Sequence, residues 1–539
     1  PAPLPQRHIF WREEMSDGAA IQGGKAKRRC LDQIDWVRHK CRQMKMLGMN
    51  TYSKDLLEFG YVQHWDPNAI RMNWAWSADA ESNSFWERAI DMVSKEYGFA
   101  LMPYFEWCGN MGGDYQGKKS YGYRKSAQPL SGEKNYTHIH WTENANIDVT
   151  DPEAIEATKQ LLQGTIVRFK DRAKFLGALF RTRPTQWPIS FADATRARFG
   201  AQANGGKTPS RDDLRRDKQL YAKYLDWWYV KRSEFLAECA KYLRAEGLKD
   251  AVVIFDGEVS EPGPGLSGGG TVADDPAALR AAFEGTGVKG PDKVVDLKDA
   301  IANHSYLKGR AEPCGTWGKW EWQHGSPADR PLSHPKDPAS FLAMPVNRLY
   351  SVGDPDAFEA YANAEGVETI IRHHSLNEHN LKYFSDGKEQ GSPIGYDMSD
   401  TEKAGRASMM VEVNAMANGD PVNIGYLIGS CMARGFPGPV REFNQNFLAL
   451  PALPSKVVKG ACADPEVVLR EIDCKKAGVN AKYYVLVHTG KTAKENVTVK
   501  FPGGLKSVTL PAYGKKLELT DGAFTFKSLR PWQILAIKK

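Results

Sequence analysis

From Arg7 to about Leu381, short apolar runs alternate with longer stretches whose apolar residues recur every three or four positions. The first kind predicts buried parallel strands and the second amphipathic helices packed over them. The predicted strands are "HIFW" at 8–11, "GMNTYSK" at 48–54, "ALMPYFEW" at 100–107, "FLGALFRTR" at 175–183 and "AVVIFDGE" at 251–258. "AIANHSY" at 300–306, "FLAMPVNRLY" at 341–350 and "ETIIRHHS" at 368–375 complete the set, with "KVVDL" at 293–297 competing for the sixth place. Helical periodicity lies between most of them, at 30–47, 83–95, 151–169 and 215–246. Eight alternations of this kind predict a closed (β/α)8 barrel.

A further helical segment at 401–417 is followed by "NGDPVNIG" and "LPALPSK", whose Gly and Pro residues read as a linker. From Pro465 the period changes to strict alternation, in "EVVLREI", "KYYVLVHT", "NVTVKF", "SVTLPA", "KLELT", "AFTFKS" and "WQILAI". Short strands with Gly, Pro or polar turns between them predict an antiparallel β-sandwich. The expected organisation is a barrel with a helical extension over residues 1–454 and a β-sandwich domain over 455–539.

Composition narrows the class of function. Hydrophobic residues make up 42% of 539 and charged residues 25%, and no apolar run is long enough for a membrane span. The net charge of +7 is spread along the chain with no basic tail, which gives nucleic-acid binding little support. Eight cysteines are too few for a disulfide scaffold, and no Cys-x-x-Cys pair points to zinc or redox chemistry. Cys30 and Cys41, eleven apart on a predicted helix, lie about 16 Å apart and too far to bridge, whereas Cys462 and Cys474 could pair in an exported protein. A chain that begins with Pro and shows no leader is expected to be a mature secreted or periplasmic form.

In such a barrel the chemistry sits where the strands end. "AVVIF" gives way to Asp256 and Glu258, an even step apart, and "ALMPYF" to Glu106 and Trp107. Carboxylates sharing a cleft divide into general acid and base or nucleophile when burial and neighbouring charge separate their pKa values. Arg181 and Arg183 end the fourth predicted strand and Arg372 the eighth, where guanidinium groups are placed to grip a carboxylate. Tyr52, His304 and Glu378 fall at further strand ends. Trp74, Trp76, Trp107, Trp141, Trp187, Trp317, Trp320 and Trp322 mostly fall in predicted loops, where sugar faces stack on rings. The spacing in "HHSLNEHN" does not match a helical His-Glu-x-x-His zinc site, and no motif calls for a metal or cofactor.

"QWPISFADATRARFG" and "NAMANGDPVNIGYLIGSCMARGFPGPVREFNQNFLALPALPSK", set in a barrel with a terminal sandwich, resemble bacterial multidomain glycoside hydrolases. The Asp-Gly-Glu at 256–258 is similar to the Asp-x-Glu of chitinase-like barrels, where the glutamate protonates the leaving oxygen. The large retaining clan carries glutamates after strands four and seven, whereas those places read "FRTRP" and "MPVNRLY" here. The resemblance implies an exo-acting glycosidase on an oligosaccharide or glycoconjugate, with Glu258 as acid and Asp256 or Glu106 as its partner. Arg181, Arg183, Arg372, Tyr52, His304, Trp107, Trp320 and Glu378 would bind substrate. An anionic sugar such as sialic acid is favoured by the arginines, with neutral or N-acetylated sugars, or glycan binding without turnover, as alternatives.

Overall fold

The computed structural model describes residues 3–12, 33–55, 85–105, 126–132, 147–182, 187–257, 339–347, 361–372, 405–427 and 437–539. Short pieces at 114–115, 118–119, 271–273 and 294–296 and single residues 134, 277, 281, 284 and 337 are also described. The first four barrel strands are β1 (Ile9–Arg12), β2 (Thr51–Asp55), β3 (Ala100–Phe105) and β4 (Gly177–Thr182). They are followed by β5 (Val252–Gly257), β6 (Ser340–Leu342 and Met344–Asn347, interrupted at Ala343), β7 (Val367–Arg372) and β8 (Pro421–Leu427). Every neighbouring pair is parallel, and β8 returns to β1. The first half of β6 pairs with β5 and its second half with β7, so this one strand closes the ring of eight.

The last three strands depart from the sequence reading. "AIANHSY" lies outside the described residues, and the run at 341–350 supplies the sixth strand, not the seventh. The segment expected to be the eighth strand is β7. The true eighth is "PVNIGYL", read from sequence as linker. "KVVDL" forms a short strand, 294–296, paired in parallel with 271–273 outside the barrel. Consequently "MPVNRLY" does not end strand seven; the residues after β7 are "HHSLNEHN".

Alternation along the strands sorts them into two cores. Phe10, Ala100, Met102, Tyr104, Leu179, Ile254, Ala343 and Ile370 pack together inside the ring. Ile9, Trp11, Leu101, Phe105, Phe180, Val253, Phe255, Ile371 and Tyr426 face outward into the helical layer. Two glycines make the closure possible. A Cβ on Gly177, whose φ is +134°, would lie 1.8 Å from the carbonyl oxygen of Val252, and one on Gly425 would lie 2.2 Å from Phe10.

Helices cover the ring: α1 (Gln33–Leu47), α2 (Phe85–Asp91), α3 (Pro152–Thr165), α4 (Asp193–Ala203), α5 (Arg211–Arg216) and α6 (Lys218–Ala245), then α7 (Met410–Asn418) and α8 (Gly438–Leu448). The α3 start is set by Asp151, whose side chain accepts from Glu153 N, with Pro152 in the first turn. Asp217 does the same for α6, accepting from Gln219 N and Leu220 N. No helix among the described residues is long and apolar enough to cross a membrane.

The C-terminal strands are β9 (Ser455–Val457), β10 (Val467–Asp473), β11 (Lys482–His488), β12 (Lys494–Lys500), β13 (Ser507–Leu510), β14 (Lys515–Glu518), β15 (Ala523–Leu529) and β16 (Gln533–Lys538). Six form an antiparallel sheet in the order β9-β10-β11-β16-β13-β14, and β12 pairs with β15 across a second apolar core. The other face of the larger sheet, through Ile472, Val485, Val487 and Ile534, belongs to the core of the barrel's helical layer. Glu442 of α8 secures this junction, accepting from Arg406 (2.8 Å), Arg530 (2.8 Å) and Gln533 (2.8 Å). Cys462 and Cys474 do not form the disulfide that their proximity in sequence allowed; both are free thiols.

Candidate active site at the C-terminal rim

The alternation that puts Tyr104, Leu179, Ile254 and Ile370 inside the ring assigns the same parity to the last residues of each strand. Arg12, Asp55, Arg181, Asp256, Asn347, Arg372 and Leu427 all occupy inner register positions at the C-terminal rim. Arg181 and Asp256 are register partners on β4 and β5. Asn347, Arg372, Leu427 and Arg12 run in one row across β6, β7, β8 and β1. Neighbouring strands are about 5 Å apart, so this end of the ring carries three arginines and two aspartates on closely spaced backbones. In the sequence Glu258 comes two residues after Asp256 and Glu106 directly after β3.

Of the candidates named from sequence, Asp256, Arg181 and Arg372 have their backbones at this rim, with Arg372 ending the seventh strand and not the eighth. Glu258, Glu106, Trp107, Arg183, His304, Trp320 and Glu378 lie outside the described residues. Tyr52 is not at the rim. It is fully buried on the outer parity of β2, against α1, with the Lys40 ammonium 4.9 Å from its ring centroid and 5.4 Å from that of Trp11. Lys40 Nζ donates to Ser53 O at 3.1 Å, so this cation joins the first helix to the second strand. Periodicity marked Tyr52 as part of a strand without saying which face it takes.

Sequence reading missed Arg12, Asp55 and Asn347. The predicted first two strands stopped one residue short of Arg12 and Asp55, and one more alternation step would have included both.

The tryptophan in "QWPIS" belongs to the scaffold. Trp187 is 3% exposed and lies parallel to Phe255, at 5.1 Å and 1° between planes, with Phe180 at 5.3 Å and Phe235 at 5.1 Å. It therefore packs the chain after β4 back onto the outer wall and offers no ring to a sugar.

A buried polar network fixes the neighbouring chain. The Asp148 carboxylate accepts from Arg198 Nη2 at 2.7 Å, from Thr150 N at 2.9 Å and Thr150 Oγ1 at 2.7 Å, and also from Thr195 Oγ1. Phe191 N donates to Gln128 O at 2.7 Å, and Tyr224 OH donates to Ser190 O at 2.6 Å. Burial, reinforced by the Asp148 charge, pushes the Tyr224 phenol well above its usual range, so it remains a donor. These bonds hold residues 126–132 and 147–150, after β3, against 187–192, after β4. Among the described residues, no group of three or more His, Cys, Asp or Glu side chains is placed to hold a metal ion.

No family model matches the chain, and no curated protein matches its sequence. Among solved structures it is similar to an α-amylase from Anoxybacillus, with 10% identity over 99% of this chain and 97% of that one and a TM-score of 0.39. The α-amylase of Geobacillus thermoleovorans complexed with acarbose aligns with 9% identity over 99% and 98% of the two chains, TM-score 0.40. A γ-CGTase from alkalophilic Bacillus clarkii aligns with 10% identity over 100% of this chain and 71% of that one, TM-score 0.41.

Proposed function

We propose that the chain is a glycoside hydrolase whose centre is the inner C-terminal rim of the barrel. The observation that carries this reading is the inner register position of Asp256 at the end of β5, beside Arg181 on β4. Glu258, two residues further along the sequence, serves as general acid, protonating the leaving oxygen. Asp256 or Glu106 stabilises positive charge, activates water or attacks the anomeric carbon. Arg181 and Arg372 bind substrate.

The test is turnover of a panel of chromogenic glycosides and intact glycans. Glu258→Gln should lower kcat by about 10²- to 10⁴-fold, the usual contribution of general acid catalysis. Leaving groups that need no protonation should be spared. Release of no sugar by the wild-type chain, or full activity in Glu258→Gln, refutes the assignment.

The guanidinium-rich rim supports a second reading, in which the sugar is anionic and its carboxylate pairs with Arg181 or Arg372. Under it, Arg181→Ala raises KM for sialosides or uronosides much more than for neutral glycosides. Equal effects on both substrate classes favour neutral sugars. Glycan binding with no turnover identifies a carbohydrate-binding barrel instead.

A further inference from the structure

The net charge of the chain is unevenly shared. Residues 455–539 carry sixteen Lys and Arg against seven Asp and Glu, a net +9, whereas residues 1–454 carry fifty-six against fifty-eight. The barrel and its helical extension are close to neutral, and the small sandwich holds the whole positive excess.

Strand register gathers much of that excess at one end of the sandwich. After β10 the chain makes a single 3₁₀ turn, Cys474–Ala477, on which Lys475 and Lys476 are exposed. Asp473 and Lys482 are register partners on β10 and β11, and Lys539 N donates to Lys482 O at 2.9 Å. Lys538 and Lys539, at the end of β16, therefore come next in the row, and both are exposed. Thr509 is the register partner of both Lys538 and Lys516, which carries the row on through β13 to β14. With neighbouring strands about 5 Å apart, the row crosses five strands in about 20 Å.

The acids at this end are already engaged. Asp473 Oδ1 accepts from Lys475 N at 3.0 Å, Glu471 is held by Lys482 at 2.7 Å and Glu518 by Lys516 at 2.7 Å. The ammonium groups of Lys475, Lys476, Lys538 and Lys539 have no carboxylate within 4.0 Å among the described residues. Like charges packed at this density repel, because their separations are comparable to the screening length of about 8–10 Å. A polyanion laid along the row relieves that repulsion and releases counterions as it binds.

The chemistry of the row narrows the polyanion. Its cations are all lysines, which act as hydrated point charges. The two arginines of the sandwich serve the junction with the barrel, Arg470 donating to Ala417 O at 2.8 Å and Arg530 pairing with Glu442 at 2.8 Å. Nucleic-acid sites draw on guanidinium forks and open rings for stacking. The ring in this row, Tyr483, is half-buried with the Lys538 ammonium 5.5 Å from its centroid. The exposed large apolar residues of the sandwich, Val457 and Tyr513, lie outside the row, so it has no apolar face to press into a membrane. Carboxylate or sulfate groups spaced along a hydroxyl-rich chain match what is left.

We propose that this end of the sandwich binds a linear acidic polysaccharide and holds it on the same polypeptide as the barrel. The choice of a glycan rests in part on the reading of the barrel as a glycosidase. Binding and turnover are measured separately, so either can fail alone.

The test is titration calorimetry on the full chain at about 50 mM salt, with polygalacturonate, dextran sulfate, neutral dextran, duplex DNA and phosphatidylserine vesicles as probes. Binding of polygalacturonate or dextran sulfate is expected, falling steeply as salt is raised, with none to neutral dextran. The tighter of the two tells a carboxylated from a sulfated partner. Replacing Lys475, Lys476, Lys538 and Lys539 together by Gln should weaken binding by about tenfold or more, as loss of four exposed ion pairs does. Turnover of small chromogenic glycosides should not change in that variant. Replacing Lys456, Lys459, Lys500 and Lys527 by Gln removes the same charge elsewhere on the sandwich and should stay within about threefold. The proposal is overturned if neither acidic polysaccharide binds, or if DNA or the vesicles bind more tightly than both at the same salt. It is also overturned if the two quadruple variants weaken binding equally.

Discussion

Trp187 is the position at which a sugar platform and a packing residue make opposite predictions. A buried tryptophan removes about 150–250 Å² from water, and at about 25 cal/mol per Å² this amounts to about 4–6 kcal/mol as an upper bound. Replacing the ring by a methyl group leaves a cavity between Phe180, Phe235 and Phe255, which cannot all collapse because two of them belong to barrel strands. Trp187→Ala should therefore cost about 4 kcal/mol, within the range of about 3–5 usual for large aromatics in cores. Trp187→Phe, which keeps a ring against Phe255, should cost roughly half as much. Because the chain has two modules, a single unfolding midpoint is a poor readout, and amide hydrogen exchange at Ala178, Leu179 and Phe180 is the better one. About 4 kcal/mol of local destabilisation speeds exchange there by about a thousandfold. Exchange changed by less than about fivefold in Trp187→Ala, together with lost glycan affinity, would refute the packing assignment.

At Gly425, substitution by Val drives a side chain into Phe10 and should destabilise by about 1–3 kcal/mol. In a double-mutant cycle Phe10→Ala should recover part of that loss, read by urea denaturation. Glu442→Ala should cost about 2 kcal/mol and separate barrel and sandwich melting in calorimetry. It takes the carboxylate from Arg406, which is 19% exposed and keeps its bond to Pro531 O at 2.6 Å. Glu368 gives a pH signature. Its folded value is about 8 against an ordinary 4.5, so the native state holds a proton that the unfolded state has released, and stability falls as pH rises through that window. Glu368→Gln should remove this loss, so its stability relative to wild type should climb from pH 4.5 to about 8 and then level off. An unchanged difference between mutant and wild type across the window would contradict the buried protonated acid.

The first five strands and all seven predicted sandwich strands were legible because each is a compact apolar or alternating run with turn residues at its ends. The eighth barrel strand was not, because every second residue at the start of "PVNIGYL", Pro421, Asn423 and Gly425, is of a type that ordinarily marks turns. Tertiary contacts account for each exception. Pro421 opens the strand, where no ladder donor is missed. Asn423 spends its side chain on His8 and Glu368, and Gly425 leaves room for Phe10. Asp420, at φ 48°, makes the turn that made the segment look like a linker. With "AIANHSY" taken as the sixth strand, the run at 341–350 fell in seventh place, so the comparison with retaining glycosidases holds at strand four and at strand seven reads "MPVNRLY" where "HHSLNEHN" follows. At the rim, Asp256, Arg181 and Arg372 were found because strand-end polar residues stand out against an apolar run. Tyr52 was misassigned because pattern alone does not separate the lumen from the helical layer.

Arg7 just before β1 donates to Pro421 O at 2.6 Å and Pro451 O at 2.9 Å, and it pairs with Asp420 at 3.5 Å. Arg470, within the sandwich, donates to Ala417 O at 2.8 Å. The segment just before β1 is thus stitched to segments more than 400 residues later. During synthesis from the N-terminus, β1 has an open edge on one side until β8 has left the ribosome, and the seam is completed only with the sandwich. All the residues between these two strands are made while the sheet is unsealed, so its apolar interior is open to wrong partners for that whole stretch of elongation.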